Sequence, residues 1–441
     1  MKNKILKNFL KYVSFNIFGM IVFSCYILAD TFFVSDALDS LGLAALNIAI
    51  PAYSVMQATG VMLGTGGATK YSVYKAQENK KSANEMFANT FLIGIMFSIM
   101  FMIVGVFFSE PVAKLLGANS ETIEYTSIYI MTLLCFAPFF IANNIMLSYV
   151  RNDGNPGRSM IAMLSSSFSN IVLDYIFIYP LNMGMFGAAF ATGISAVISL
   201  MILLSYMFSK RSGLKFKKTA PKKVYIKSIF TLGVSSFITE ISSGIVLLVF
   251  NLVILDIAGN TGVAAYGIVA NVALVVISIF TGTSQGMQPL VSNAYAVRDN
   301  TAMRKVLLYS IITVLLISTV VYAMTISFSD NIIAVFNSEN NQSLIPLAKT
   351  GFNIYFLGFF FAGFNIISAA FLSAKEKAVT AFIISLIRGI IAIVPSVIIL
   401  SAIFGINGVW SSFAVSEFIT CIVALIFVLK LNVHKKADSE T

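Results

Sequence analysis

Apolar positions gather into about twelve continuous runs, each near the ~20 residues that span ~30 Å of hydrocarbon as a helix. In the first half they cover 12–35, 46–74, 87–109, 124–149, 159–180 and 186–208. In the second they cover 228–256, 262–292, 306–328, 346–372, 380–403 and 406–429. A membrane barrel would instead show short alternating strands. The pattern predicts an all-α integral membrane protein with about twelve transmembrane helices. The first run is longer than a signal-peptide core, contains Asp30 and has no A-x-A pattern after it, so it reads as an uncleaved first helix.

The polar connections alternate in charge. Lys2, Lys4, Lys7 and Lys11 open the chain, and every second connection repeats that basic character. These are Lys75-Lys80-Lys81, Arg151-Arg158, Lys210 to Lys227, Arg298-Arg304-Lys305, Lys375-Lys377, and the tail with Lys430, Lys435 and Lys436. Loops between them carry Asp36 and Asp39, then Glu110, Glu121 and Glu124 against Lys114, and later Asp330 and Glu339. Basic loops stay cytoplasmic, so a multi-pass protein of the cell membrane with both termini in the cytoplasm is expected.

Composition agrees with this pattern. Of 441 residues 58% are hydrophobic and 11% charged, with a mean hydropathy of +0.88. Too few charges remain to cover the surface of water-soluble domains, which excludes a cytosolic enzyme. Cys25, Cys135 and Cys421 lie in apolar runs without metal-ligand spacing, and the only histidine, His434, is in the tail. Histidine zinc sites and Ser-His or Cys-His catalysis therefore lack candidates. No Gly-Lys dipeptide occurs, so no Walker A loop supplies ATP-driven transport. The net charge of +10 is mostly loop charge. The run KRSGLKFKKTAPKKVYIK suits a linker near anionic lipid better than a nucleic-acid site.

That linker divides the chain nearly in half. A shift of 220 residues aligns Gly42, Ala44, Ala45 and Ile48 with Gly262, Ala264, Ala265 and Ile268, and Gly66, Ser72 and Ala76 with Gly286, Ser292 and Ala296. One residue more pairs Gly184, Gly187 and Ser195 with Gly405, Gly408 and Ser416. Two pseudo-symmetric six-helix lobes are expected, at 1–208 and 228–430, with the linker at 209–227 and a cytoplasmic tail at 431–441. An even number of spans gives both repeats one orientation, an arrangement used by rocking transporters.

A charge in hydrocarbon costs about 2.5–3.5 kcal/mol even on the lenient scale, so intramembrane acids are functional candidates. Four lie well inside the runs: Asp30, Asp174, Glu240 and Glu417, with Arg388 the one deep base. Counted at ~1.5 Å per residue, Asp30, Asp174 and Thr192 each lie within about 10 Å of the outer edge of the core. Asn170 shares a helix face with Asp174 at i, i+4. Two carboxylates, an amide and a hydroxyl suit a proton or a hard cation such as Na⁺, with a polar helix-packing network as the lesser alternative. Glu240, near the midplane among Ser235, Ser236, Thr239, Ser242 and Ser243, is a second candidate. Arg388 and Glu417 lie at similar depth on neighbouring helices and are expected to pair. Gly64-Thr65-Gly66-Gly67 reads as close helix packing, and Pro51 and Pro395 as kink positions. The 39 phenylalanines and 17 tyrosines suit flat organic cations, but most must face lipid.

Ala29-Asp30-Thr31-Phe32-Phe33-Val34 with Leu43-Ala-Ala-Leu-Asn-Ile-Ala-Ile-Pro51 resembles the opening of bacterial MATE (multidrug and toxic compound extrusion) transporters. Asn170-Ile-Val-Leu-Asp174, Gly187-Ala-Ala-Phe-Ala-Thr192 and Gln288-Pro289-Leu290 extend the likeness along the whole chain. The resemblance implies a V-shaped pair of six-helix lobes. It further implies secondary active export of amphipathic, often cationic compounds by H⁺ or Na⁺ antiport, with no other cofactor and no enzymatic step. Its first-helix acid corresponds to Asp30, its fifth-helix Asn and Asp to Asn170 and Asp174, its sixth-helix Thr to Thr192, and a seventh-helix glutamate to Glu240. The tenth-helix acid of some members is missing, with Asn365 the nearest polar substitute. That departure moves the expected ion site to the N-terminal lobe. Small organic substrates, lipid contacts and a monomer are expected. A lipid or lipid-linked oligosaccharide flippase of the same wider superfamily is the alternative, less suited because the deep charges are mainly acidic.

Overall fold

The structure, a computed structural model, describes residues 2–217, 219–336 and 341–437. Glu339 lies outside the described residues, as do the side chains of Lys2, Asp39, His434, Lys435 and Lys436. The described chain is almost wholly helical, the form in which a segment in hydrocarbon satisfies its own backbone groups. In order the helices are α1 (Lys4–Leu38), α2 (Leu41–Ala76), α3 (Lys80–Leu115), a bent α4 (Ile123–Cys135 and Ala137–Asn152), α5 (Pro156–Ile178) and α6 (Gly184–Met207). The stretch Lys223–Ala296 follows, then α9 (Asn300–Ser327), α10 (Leu344–Ala374), α11 (Ala378–Phe404) and α12 (Ile406–Lys430). Lys223–Ala296 would exceed 100 Å as one rod at ~1.5 Å per residue, several times the hydrocarbon thickness. It breaks at Gly259 (φ 60°, ψ −160°), a conformation open in practice to glycine alone, and so provides α7 (223–258) and α8 (260–296).

Among the described residues ten helices are long and apolar enough to cross a membrane, eleven with the bent α4, and twelve once Lys223–Ala296 is divided. Most extend past the apolar runs because their basic ends stay helical outside the hydrocarbon. The linker is accordingly shorter than its expected 209–227, since α7 already begins at Lys223. The expected tail at 431–441 continues the last helix as far as Ala437. The bend of 52° in α4 falls at Phe136, just before Pro138.

The duplication is visible in the turns. Positive φ angles recur at Glu78 and Arg298, at Gly154 and Glu376, and at Gly184 and Gly405, spacings of 220, 222 and 221 residues. Two cores result. One is built from residues between Val34 and Ile229; the other joins Phe9 and Val13 to residues between Phe250 and Val428. The beginnings of α1 and α7 thus cross over. Phe9 and Val13 pack in the second core, and Tyr225 and Ile229 pack in the first.

The crossing needs backbones in contact. A Cβ on Gly66 would lie 2.0 Å from the Ile229 carbonyl oxygen, and one on Gly233 2.1 Å from that of Met62. The repeat-related positions do the same, Gly286, the counterpart of Gly66, against Val13 Cα (2.8 Å) and Gly282, the counterpart of Met62, against Ile17 Cα (2.8 Å). Small residues let membrane helices approach this closely. Thr65 Oγ1 donates to Ser236 Oγ (3.1 Å), Gln288 Nε2 to Thr69 Oγ1 (2.9 Å) and Arg151 Nη1 to Gln285 Oε1 (2.5 Å), while Lys70 pairs with Glu376 (2.7 Å). All of these join the halves in the portion of the molecule nearer the basic loops. Toward the opposite face the packing opens, and a Cβ on Gly244 or Gly267 would meet nothing within 4 Å.

The linker is strapped to the first half. Phe216 packs on Phe87 and Phe91, the Lys215 and Lys222 amides donate to Asn84 and Asn89, and Lys222 pairs with Glu85 (2.6 Å). The centre of this region is Asp153, whose side chain is fully buried. It accepts from Tyr71 (2.6 Å), Tyr206 (2.8 Å) and the Gly213 amide (2.8 Å), and pairs with Lys75. One carboxylate thereby ties α2, α6 and the linker to the α4–α5 turn.

Two outcomes follow from this packing. Asp153→Ala strands Lys75 and three donors, and is expected to cost roughly 3 kcal/mol of stability, read from thermal melts in detergent. Gly66→Val forces α2 away from α7. With the native cysteines replaced by serine, disulfide formation between Thr69→Cys and Gln288→Cys is expected to fall at least several-fold in membranes.

Candidate functional site

The first cluster lies in the N-terminal half. The i, i+4 spacing puts Asn170 and Asp174 on one face of α5, and both are completely buried. Gly187 brings α6 against α5, since a Cβ there would stand 3.2 Å from the Phe177 carbonyl carbon. Thr192, a little over one turn further, thereby reaches Asn170. Asn170 Nδ2 donates to Thr192 Oγ1 (3.2 Å), which donates to the Ala188 carbonyl (3.1 Å). With the amide nitrogen committed to Thr192, Asn170 Oδ1 is left free.

Asp30 of α1 comes within direct interaction range of Asp174. Asp30 Oδ1, Asn170 Oδ1 and both carboxylate oxygens of Asp174 are buried and receive no hydrogen bond from any other group, so the two carboxyls can bond to each other only by sharing a proton. Four oxygens without donors in one place form a cluster of unmet negative potential. Burying such acceptors unpaired costs about 1–3 kcal/mol each, and more when they are charged. Two bare carboxylates at ~4 Å repel by about 4 kcal/mol even at an effective dielectric of 20. A single proton or small cation relieves both costs. Asp30, Asn170, Asp174 and Thr192 are thus brought together.

Glu240 lies elsewhere, on α7, partly exposed and within electrostatic range of Tyr53. One turn along the same face, a Cβ on Gly244 would meet nothing within 4 Å, so this face is open. Tyr53 also lies within electrostatic range of Asp30, so it neighbours both acids. Gln57 Nε2 donates to Tyr53, and Asn144 Nδ2 donates to Gln57 Oε1 (2.6 Å).

Arg388 and Glu417 do pair, Nε to Oε1 at 2.8 Å, and Asn365 Nδ2 donates to Glu417 Oε2 at 2.7 Å. Arg388 rides on a π-helical turn, Ile387–Ile391. Pro395 has no N–H for the Ile391 carbonyl, which favours the widened turn at this point. Gly389 presses this turn against Ser242, whose Oγ would lie 2.0 Å from an added Cβ.

Several participants had no advance signal. Tyr26, Tyr53 and Tyr129 all lie within electrostatic range of Asp30. Only Tyr26 could have been found, one turn before Asp30 on the same face. Arg151, buried at 3% exposure and donating to Asn16 (3.0 Å) and Gln285, looked like ordinary loop charge. The Gly64–Gly67 stretch is helical, with Gly64 against the Asn144 backbone and Gly67 against Thr90 and Tyr149, in keeping with close packing.

Known proteins place this geometry. Multidrug export protein MepA of Staphylococcus saprophyticus is 26% identical over 441 residues, covering 99% of this chain and 96% of its own. MepA of Staphylococcus aureus strain MRSA252 is 28% identical over 428 residues, covering 96% and 93%. Among solved structures, an outward-facing multidrug resistance MATE family transporter of the MOP superfamily superimposes with a TM-score of 0.92 at 23% identity, over 98% of this chain and 96% of that one. A MOP superfamily transporter from Pyrococcus furiosus, described as having a reversed binding-pocket polarity, gives 0.89 at 23% identity over 96% and 94%. At those identities the likeness is one of fold, the V-shaped pair of lobes. The MatE family model matches residues 16–176 and again 235–398, once in each half. With most of its length covered by those two matches, the chain belongs to the MatE family.

Proposed function

We propose that the protein is a secondary active exporter of amphipathic organic cations, driven by inward movement of H⁺ or Na⁺ and working as a monomer by alternating access. The observation that carries this reading is the Asp30–Asp174 cluster, whose four donorless buried oxygens call for a mobile positive charge. Multidrug export by the MepA relatives supports the substrate class. The basic loops would be cytoplasmic, which makes the closed end the inner one and the open end the outer one.

In the outward-open state water and ions reach the N-terminal half from outside. Binding of H⁺ or Na⁺ at Asp30 and Asp174, with Asn170 Oδ1 as a further oxygen ligand for Na⁺, removes negative charge from that lobe. A cationic substrate near Glu240 and Tyr53 then loses electrostatic attraction and leaves. The neutralised lobe can rock, opening the glycine-packed end and releasing the ion inward. Coupling requires only that ion and substrate favour different states of the same lobe. The deep charge on the open face is acidic, which suits a cation better than an anionic lipid-linked sugar.

In liposomes, ethidium movement under an imposed pH gradient or Na⁺ gradient is expected for the wild type and is expected to fall at least tenfold in Asp174→Asn. No organic-cation movement under either gradient would sink the antiport reading. If the ion is H⁺, tetraphenylphosphonium is expected to bind more tightly at pH 8 than at pH 6, because deprotonation restores the acid pair. The Asp30→Asn/Asp174→Asn protein is expected to bind it equally at both.

A further inference from the structure

The two halves share a fold but not a charge pattern. Under the repeat shift of 220 or 221 residues, Asp30 corresponds to Phe250, Asp174 to Pro395 and Thr192 to Phe413. Conversely Arg388 corresponds to Ser167 and Glu417 to Ala196, while Asn144 and Asn365 are partners. Deep in its spans, among the described residues, the N-terminal half therefore sets Asp30 and Asp174 together with no base beside them. The C-terminal half buries one acid, Glu417, at 3% exposure, with a guanidinium on it.

Around Glu417 the geometry is that of a cation site already filled. Its Oε1 accepts from Arg388 Nε (2.8 Å), and its Oε2 and its carbonyl accept from Asn365 Nδ2 (2.7 and 2.8 Å). Asn365 Oδ1 and Ser368 Oγ, at i, i+3 on one face of α10, are fully buried and have no partner. Oxygens from a carboxylate, an amide and a hydroxyl are a donor set for a hard monovalent cation. Only the guanidinium makes the local charge neutral. Arg388 cannot lose its proton at ordinary pH and cannot leave, so it cannot take part in an ion cycle.

We infer that the C-terminal half contains a latent monovalent-cation site, formed by Glu417, Asn365 and Ser368, that Arg388 occupies as a tethered counter-ion. Removing the guanidinium vacates the site for Na⁺. This inference is independent of the transport reading, because it concerns binding and stability rather than export.

The test uses the purified full chain in detergent at pH 8, comparing NaCl with choline chloride at equal ionic strength. Arg388→Met is expected to melt below the wild type in choline. Na⁺ at 100 mM should raise its midpoint by about 3 °C or more beyond any rise in the wild type. Adding Glu417→Gln should erase that increment and recover part of the lost stability, since it removes the unpaired charge. An Arg388→Met protein with no increment beyond the wild type overturns the inference, and so does an increment that survives Glu417→Gln. If Arg388→Met does not fold in choline, purification in Na⁺ throughout should recover it. Failure to recover it, whether or not the double variant folds, also overturns the site.

Discussion

In hydrocarbon, a polar group that finds no partner within the protein finds none at all. Most features of this molecule answer that single constraint. The backbone is helical because a helix closes its own hydrogen bonds, and its non-helical turn at Gly259 falls between two spans rather than within one. The turns that leave the membrane take positive φ at repeat-related places. Where a charge is buried, it has either a full set of partners, as at Asp153 and Glu417, or conspicuously lacks them, as at Asp30 and Asp174. The first condition describes fixed structure; the second leaves negative potential that a proton or small cation would neutralise.

The same contrast separates the two ends of the molecule. Near the basic loops the halves meet through glycines and paired polar side chains, and α1 and α7 cross from one core into the other. Nearer the opposite face, Glu240 and Gly244 look into space. Polar pairs such as Gln288–Thr69 and Arg151–Gln285 suit a contact that must open, because water can replace a hydrogen bond at little net cost. A wholly apolar seam would be costlier to wet.

Helix number, alternation of loop charge and the duplication were legible in the sequence because each is a one-dimensional property: run length, sign and period. The meeting of Asn170 and Asp174 was legible for the same reason, through helical spacing. Depth counting also brought Asp30 and Thr192 to the same level, and the structure places them there together. What the sequence did not reveal depends on three-dimensional crossing. Tyr53 and Tyr129 approach Asp30 from helices with no fixed sequence offset from it. Phe9, Val13, Tyr225 and Ile229 pack across the expected lobe boundary, because a run-length rule assigns a helix to the half that encodes it. Arg151 seemed a loop cation because loops and closed helix ends share the same composition.

The crossed beginnings of α1 and α7 bear on ancestry. Each half contributes its first helical turns to the core of the other, and the contacts Gly66–Gly233 and Gly286–Val13 are images under one rotation. Two unfused copies of such a half would meet in just this way, as a two-fold dimer that exchanges its leading helix ends. Such a half alone would leave part of its core unfilled. The basic strap joins the halves into one chain whose two sides differ in charge, one setting Asp30 against Asp174 and the other pairing Glu417 with Arg388.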